Sequence, residues 1–482
     1  MQEKSIFKNY IYNIILTVSN LIFPLVVFYY VSRVIGPDGI GKVNFASTIA
    51  SYFILLGTFG INTYGVRIIA RYRDDLFNTR KNFNELFVIE LLISILSLIL
   101  YILFILTNSK TRNETSLFLL YSLAILLNIF SFEWFFQGLE KYKYITLRSL
   151  IIKIISTILI FLFIKSKRDY LLYAIFLIFG NGANNLFNLY YANKIIGIDF
   201  KNISIKQHFP LLVRFAIISF TVSLYSGLDK ILLGYITNEY YIGLYIPAEK
   251  IARLSLSFIV ALSSVLYPKV ANIFYNGTEE ELQTIISKAM HAVLVLAVPF
   301  TVGIEILADY LILLISGSLF ISSIPTLRIQ ACIIIPVAIA NVAGIQALIA
   351  VGKEKKYLLS ILVATIFFVI IAFLLIPNMK QNGAAIALFA AEFIGAGLEL
   401  IFARKYFRGM HKENWLYNII ISSIIMGIII LIIKSKIKYS FLSTIFIIGI
   451  GGITYFLLLF LFKDFMIHAF IQRAINNSTN KK

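Results

Sequence analysis

The chain has 482 residues, of which 59% are hydrophobic and only 14% are charged, with a net charge of +19. A soluble protein of this size carries about 25% charged residues to cover its surface. Most of this surface must therefore face something other than water, and the mean hydropathy of +0.87 indicates a membrane protein. The basic residues stand mainly in short gaps between apolar runs. This pattern argues against nucleic-acid binding and favours charges that set membrane topology.

Metal and disulfide chemistry have little support in the sequence. The single cysteine, Cys332, lies within an apolar run, so neither an intrachain disulfide nor a thiolate metal site is expected. The four histidines form no H-x-x-x-H or H-E-x-x-H pair, so no catalytic zinc centre is predicted. We expect no metal and no cofactor.

Apolar runs of about 20 residues, long enough to cross about 30 Å of hydrocarbon, follow one another along the chain. They predict an all-α membrane protein, a polytopic bundle of about fourteen transmembrane helices. The predicted spans lie near residues 10–33, 43–66, 83–107, 115–137, 145–164, 170–193, 210–236, 241–274, 285–316, 329–351, 357–377, 383–403, 415–433 and 440–462. Every connection is short, so no loop can hold a folded extramembrane domain.

The distribution of Lys and Arg predicts the orientation. With an even number of spans, both termini lie on one side of the membrane. The segments on that side carry more basic residues, including the group between residues 67 and 81. The positive-inside rule therefore predicts that both termini are cytoplasmic. Two basic loops on the predicted outer side, 165–168 and 434–438, oppose this orientation.

Two short motifs occur twice in the chain. Residues 40–46 (IGKVNFA) are similar to residues 242–248 (IGLYIPA), and residues 138–144 (GLEKYKY) are similar to residues 352–357 (GKEKKY). Both pairs are six spans apart, so the copies have the same orientation and predict a parallel repeat. Two lobes around a central cavity are typical of an alternating-access transporter.

The repeat sets the predicted domain organisation. The predicted domains are an N-terminal six-helix lobe at 1–200, a C-terminal six-helix lobe at 201–408, and two additional helices with a cytoplasmic tail at 409–482. The glycine-rich segment 36–41 lacks the GK[ST] of a Walker motif, so we interpret it as a turn between two helices.

The first two spans carry a recognisable pattern. Residues 30–41 read YVSRVIGPDGIG, residues 57–67 read GTFGINTYGVR, and a basic ARYRDD segment follows. This pattern resembles the start of bacterial oligosaccharide repeat-unit flippases of the Wzx type, in the multidrug/oligosaccharidyl-lipid/polysaccharide exporter superfamily. The pair Gln137-Gly138 at the end of span 4, the span count and the repeat agree with that resemblance.

The resemblance implies a function. Such a protein moves an undecaprenyl-pyrophosphate-linked oligosaccharide from the inner to the outer leaflet of the bacterial cytoplasmic membrane for surface polysaccharide synthesis. It is a transporter and not an enzyme, and it is coupled to an ion gradient rather than to ATP. Its partners would be the lipid-linked substrate, the membrane lipids, and a polysaccharide polymerase with its chain-length machinery.

Ionisable residues within the spans are the candidate site residues, because they are costly in hydrocarbon and usually line a cavity or pair with one another. The cations predicted to hold the pyrophosphate are Lys153, Lys230, Lys250, Arg253 and Arg33. The carboxylates predicted to couple transport to an ion are Asp229, Glu392, Glu133, Glu90 and Glu249.

A structural role for these charges stays open. Glu133 and Lys153 can form a buried pair that only holds helices together. Glu249 and Arg253 are four residues apart, so they can pair along one helix face.

Rival functions also stay open. A peptidoglycan-precursor or teichoic-acid-type flippase ranks second, because its first span usually carries more arginine than the lone Arg33 here. A multidrug exporter shares the superfamily fold, but buried cations argue against a cationic drug. A membrane-bound polysaccharide polymerase would show a larger external loop or an acidic motif at the membrane surface, and the sequence has neither.

Overall fold

The computed structural model of the protein describes residues 2–200, 203–225, 227–407 and 415–468, and these residues form helices and no strand. The α-helices of the first half are α1 Gln2–Thr58, α2 Ile61–Tyr72, α3 Leu76–Thr107, α4 Ser109–Arg112, α5 Thr115–Asn128, α6 Glu133–Gly138, α7 Tyr142–Phe163 and α8 Tyr170–Ile196. Those of the second half are α9 Phe209–Tyr225, α10 Leu228–Ile236, α11 Glu239–Asn276, α12 Glu279–Ile315, α13 Ile324–Ala340, α14 Glu354–Ala403, α15 Trp415–Lys436 and α16 Phe441–Leu461. A π-helix, Asn341–Ile349, continues α13.

In the described part of the chain, 11 helical segments are long and apolar enough to cross a membrane, which confirms a polytopic helical membrane protein. The segments Ile11–Tyr72 and Glu354–Phe407 are 62 and 54 residues long. About 20 helical residues cross the hydrocarbon, so each segment has room for two spans. Non-helical backbone at Gly36 and at Lys380 divides the two segments between the predicted spans. The total of fourteen spans stays a prediction.

The helix α1 folds back on itself at Gly36. Gly36 has a φ of 76°, in the left-handed region that glycine adopts readily, and Pro37 begins the second half. Leu16 before the break and Phe59 after α1 both pack on the same hydrophobic cluster. The two halves therefore run side by side, as the predicted turn at residues 36–41 requires.

The chain divides into two compact units, Met1–Gly243 and Leu244–Lys482. The core of the first unit is rich in aromatic rings, and Phe83 lies 5.4 Å from Trp134 and 4.7 Å from Phe135, centroid to centroid. In a membrane, helices associate through close packing rather than through a hydrophobic driving force. Interlocking rings of this size therefore determine which helices of the first unit are neighbours.

In the second unit, the two C-terminal helices α15 and α16 pack on α12. His291 of α12 forms a buried 2.9 Å hydrogen bond with Asp464, just beyond α16, and its ring lies 4.7 Å from that of Trp415. Tyr455 of α16 donates a 2.8 Å hydrogen bond to the carbonyl of Val295. The two additional helices of the predicted third domain are therefore integral to the second unit.

Two glycines that correspond in the predicted repeat meet within the first unit. A Cβ atom on Gly41 would overlap the carbonyl of Glu239, and one on Gly243 would overlap the carbonyl of Pro37. Pro37 and Glu239 are as far apart in sequence as Gly41 and Gly243, so the contact is reciprocal. A two-fold relation between the two segments produces such reciprocity. This close contact between the segments around Gly41 and Gly243 supports the parallel repeat. The boundaries of the three predicted domains stay predictions.

We expect Gly41→Ala to destabilise the protein by about 1–3 kcal/mol, because the added methyl group forces two backbones apart. Gly303→Ala is the matched control, because a Cβ atom at Gly303 meets nothing within 4 Å. Unfolding by sodium dodecyl sulfate in mixed micelles measures both variants. Equal stability of the two variants would contradict the close crossing.

Candidate functional site

A polar pocket of about 340 Å³ lies among α2, α5, α6 and α8 of the first unit. It is lined by Asn62, Asn128, Ser131, Glu133, Trp134, Gln137, Asn181 and Asn185. An amide without a hydrogen-bonding partner is costly in an apolar surrounding, so five amide side chains around one pocket require water or a polar ligand. We take this polar pocket as the candidate site.

The pocket depends on a break in the predicted fourth span. The span predicted over residues 115–137 is confirmed as one membrane-long segment, Thr115–Gly138. Its helix is interrupted, because α5 ends at Asn128 and α6 begins at Glu133. Asn and Ser side chains compete with the helical backbone for hydrogen bonds, and Asn128 and Ser131 stand at this break. Broken helices of this kind form the binding sites of many transporters.

Glu90 of α3 lies directly behind the pocket and is fully buried. Its carboxylate accepts hydrogen bonds from Ser131 Oγ at 3.3 Å and from Trp134 Nε1 at 3.2 Å. Both donors are neutral, and within the described ranges no basic side chain forms an ion pair with Glu90. Sequence reasoning identified this residue, and the structure places it next to a second candidate, Glu133.

Arg148 of α7 neutralises Glu133, with 3.0 Å between Nη2 and Oε1, and its Nε donates a 3.2 Å hydrogen bond to Asn184. Glu133 and Lys153 make no direct ion pair among the described residues: the direct partner of Glu133 is Arg148, and Lys153 donates to Asn20 of α1. Arg148 lies on the face of α7 that packs inward, whereas Lys153 faces α1 and is partly exposed.

Sequence reasoning did not select Arg148, because it stands close to the start of the predicted fifth span. The spacing of the residues around Arg148 did indicate that its side chain is buried. Ile145 stands three residues before Arg148, and Ile152 and Ser156 stand four and eight residues after it. All three are buried on the same face of α7. The spacing could therefore have marked the side chain as a buried cation.

Three further candidates of the first unit do not line the polar pocket. Arg33 is exposed, with its guanidinium 3.8 Å from the ring centroid of Tyr29, one turn earlier in α1. Asp229 is buried in the first turn of α10, where its carboxylate accepts a 2.9 Å hydrogen bond from the backbone N–H of Lys230. Lys230 itself is half-buried.

The remaining candidates belong to the second unit. Glu249 and Arg253 form a 2.8 Å ion pair along α11, which confirms the predicted pairing four residues apart. Lys250 is half-buried on the same helix, and Glu392 is half-buried on α14. The single cavity that all ten candidates were expected to line stays a prediction.

Glu399 of α14 is a buried carboxylate that was not among the selected site residues. Its Oε1 accepts a 3.0 Å hydrogen bond from Ser360, and its Oε2 is buried without a partner in the described part of the chain. The Oε2 atom would lie only 2.6 Å from a Cβ on Gly344, inside the π-helix. Such π-helical turns are frequent at functional sites.

Comparison with known proteins gives relatives in sequence. Residues 6–274 match the family described as "Polysaccharide biosynthesis protein". The chain is 22% identical over 404 residues to the putative O-antigen transporter of Escherichia coli K12, across 83% of this chain and 97% of the relative. It is 21% identical over 249 residues to the probable low-salt glycan biosynthesis flippase Agl15 of Haloferax volcanii, across 51% of this chain and 52% of that protein.

Solved structures with the same fold include two transporters. The lipid II flippase MurJ in an inward closed conformation matches with a TM-score of 0.74 and 17% identity, over 95% of this chain and 100% of MurJ. An inward-facing multidrug resistance MATE family transporter of the MOP superfamily matches with a TM-score of 0.66 and 14% identity, over 81% of this chain and 95% of that transporter. These structures confirm the predicted superfamily fold. Because the family match covers more than half of its length, the chain belongs to the polysaccharide biosynthesis protein family.

Proposed function

We propose that the protein is a flippase that moves lipid-linked oligosaccharide repeat units from the inner to the outer leaflet of the cytoplasmic membrane of a bacterium. The observation that carries the proposal is the amide-lined polar pocket beside the Arg148–Glu133 ion pair. The family, a relative named as an O-antigen transporter and another named as a glycan flippase support the same substrate class.

The polar pocket suits a sugar. Each amide offers both donors and acceptors, which matches the alternating hydroxyl groups of a sugar ring better than it matches a hydrophobic drug. The volume of about 340 Å³ is near the lower end of the range for small-molecule sites, about 300–1,000 Å³.

The diphosphate group of the substrate needs cations. We propose Lys153, Lys230, Lys250, Arg253 and Arg33 for this role, as the sequence predicts, and we add Arg148. Arg148 is the best placed of them relative to the polar pocket, because its partner Glu133 lines that pocket. A guanidinium that already holds one carboxylate oxygen can exchange it for a phosphate oxygen, because both are anionic hydrogen-bond acceptors.

Ion coupling needs an acid whose charge can change during transport. Glu90 fits best, because it is buried beside the polar pocket and is held by neutral donors only within the described residues. Asp229, Glu133, Glu249 and Glu392 stay proposed for the same role. We further propose that both termini are cytoplasmic and that a polymerase with its chain-length machinery receives the product.

A peptidoglycan lipid-precursor flippase is the second candidate function. The observation that favours it is the match to MurJ over 95% of this chain. At 17% identity this match supports the fold alone. The substrate of the second candidate is also a polyprenyl-diphosphate sugar, so analysis of the lipid that accumulates on depletion separates the two functions.

Cells depleted of the protein should accumulate a completed polyprenyl-diphosphate oligosaccharide on the inner leaflet, out of reach of probes added outside. Surface polymer should fall in parallel, while peptidoglycan synthesis continues. Lipid extraction with and without external probe measures this distribution. Normal surface polymer without any accumulation would overturn the proposed function, and accumulation of a peptidoglycan precursor would assign the second candidate.

Removing the cation beside the polar pocket should slow transport. We expect the double variant Glu133→Gln/Arg148→Gln to lower the initial rate in proteoliposomes by about 10–100-fold, because a hydrogen bond to a charged group contributes about 1.5–3 kcal/mol. Both partners are replaced so that no unpaired charge stays buried. Arg112→Gln, at an exposed position, is the control for charge. A folded double variant with the wild-type rate would exclude Arg148 from substrate binding.

Glu90→Gln keeps the shape of the side chain and removes its ionisable group. We expect this variant to fold and to lose the response of transport to an imposed pH or sodium gradient, because the coupling acid is gone. Glu280→Gln, at an exposed position in the first turn of α12, is the matched control. A Glu90→Gln protein that still responds fully to both gradients would move the coupling role to another carboxylate.

A further inference from the structure

A second cavity, of about 700 Å³, opens between α7 and α8 and is separate from the polar pocket. We name it the lateral groove. It lies between the start of α7 and the end of α8, and its apolar walls include Leu147, Ile151 and Phe187. Of its lining, the proposed flippase function uses only Arg148.

The walls of the lateral groove face outward. The side chains of Leu147, Ile151 and Phe187 are 45%, 57% and 57% exposed. In a membrane protein, exposed apolar side chains of a spanning helix contact lipid. The lateral groove is therefore open to the acyl chains of the bilayer rather than to water.

One end of the lateral groove is strongly basic. Lys141 stands just before α7, Lys143 lies in its first turn, and the Glu133-paired Arg148 follows within the cavity lining. Lys141 Nζ lies 5.2 Å from the centroid of the Tyr191 ring, which fixes the ammonium group at the rim. Two lysines beside a paired arginine at one end of an apolar cavity match one anionic head with an apolar tail.

Arg148 is the buried cation in the lining of the lateral groove, and its guanidinium lies 5.2 Å from the centroid of the Tyr144 ring. Its side chain is 6% exposed, and its Nη1 atom is buried without a hydrogen-bond acceptor in the described residues. The other nitrogens, Nη2 and Nε, bind Glu133 and Asn184. A buried guanidinium N–H group without an acceptor costs free energy, and a phosphate oxygen would satisfy it.

The floor of the lateral groove is built from aromatic rings. Tyr144 and Tyr191 stack with their centroids 4.3 Å apart, and Tyr144 Oη donates a 3.0 Å hydrogen bond to the carbonyl of Phe187. These contacts tie α7 to α8 below the cavity. The lateral groove is therefore a preformed feature of the first unit, not a gap between loosely packed helices.

We propose that the lateral groove binds one anionic glycerophospholipid of the bilayer. Its phosphate lies among Lys141, Lys143 and Arg148, and one acyl chain lies along Leu147 and Ile151. The lining offers cations and apolar surface but no amide or carboxylate, so it suits a phosphodiester with a tail better than an oligosaccharide. The basic end is on the predicted cytoplasmic side, where anionic lipids attract Lys and Arg.

Native mass spectrometry of the full chain in detergent, with added phosphatidylglycerol or phosphatidylcholine, tests the proposal. We expect phosphatidylglycerol to be retained preferentially. Lys141→Gln/Lys143→Gln should weaken that retention about 5-fold per lysine removed. Lys165→Gln/Lys167→Gln, with the same charge change at the opposite, exposed end of α7, should have no effect. Equal retention of the two lipids, or equal loss in both double variants, would overturn the proposal.

A second variant tests whether the lateral groove binds the acyl chain of the lipid. Ile151→Trp fills the apolar part of the lateral groove at an exposed position and leaves every charge in place. It should lower phosphatidylglycerol retention several-fold, and millimolar inorganic phosphate should not compete with the lipid. Unchanged retention in this variant, or displacement by phosphate alone, would show that the site does not bind a lipid tail. None of these readouts requires transport, so they are independent of the proposed function.

Discussion

Arg148 sits on the buried face of α7, and the polar structure of the first unit depends on how that charge is satisfied. Moving a guanidinium out of water is costly, and the cost is offset only where a carboxylate and further acceptors surround it. Glu133 and Asn184 supply two of these acceptors. Glu133 is the first residue of α6, directly after the break in the fourth predicted span.

The same break determines the position of Glu90. Ser131 and Trp134, which donate to its carboxylate, belong to the break and to the helix after it. The ion pair and the buried acid are therefore coupled through one short segment, residues 129–134. A change in that segment would alter both the cation and the acid beside the polar pocket. In the proposed flippase, this arrangement gives a physical route by which the proposed cation site and the proposed coupling acid can influence each other.

The sequence predicted those features that depend on local pattern. The reversal at Gly36 follows from glycine and proline between two apolar runs, and the Glu249–Arg253 pair follows from spacing along one helix. Contacts between helices were not predictable in this way. Glu133 could pair with any nearby cation, and only the packing of α6 on α7 selects Arg148 over Lys153. The lateral groove likewise depends on which helices are neighbours.

Several buried polar atoms of both units have no hydrogen-bond partner among the described residues, and two of them belong to charged side chains of the candidate regions. They are Nη1 of Arg148 in the first unit and Oε2 of Glu399 in the second. Apolar side chains of similar volume would often stabilise such positions as well or better. An unsatisfied donor and an unsatisfied acceptor inside a membrane protein are therefore better explained by something that binds to them. For Arg148 the proposed ligand is a phosphate group, whereas for Glu399 a cation or a proton donor would fill the position.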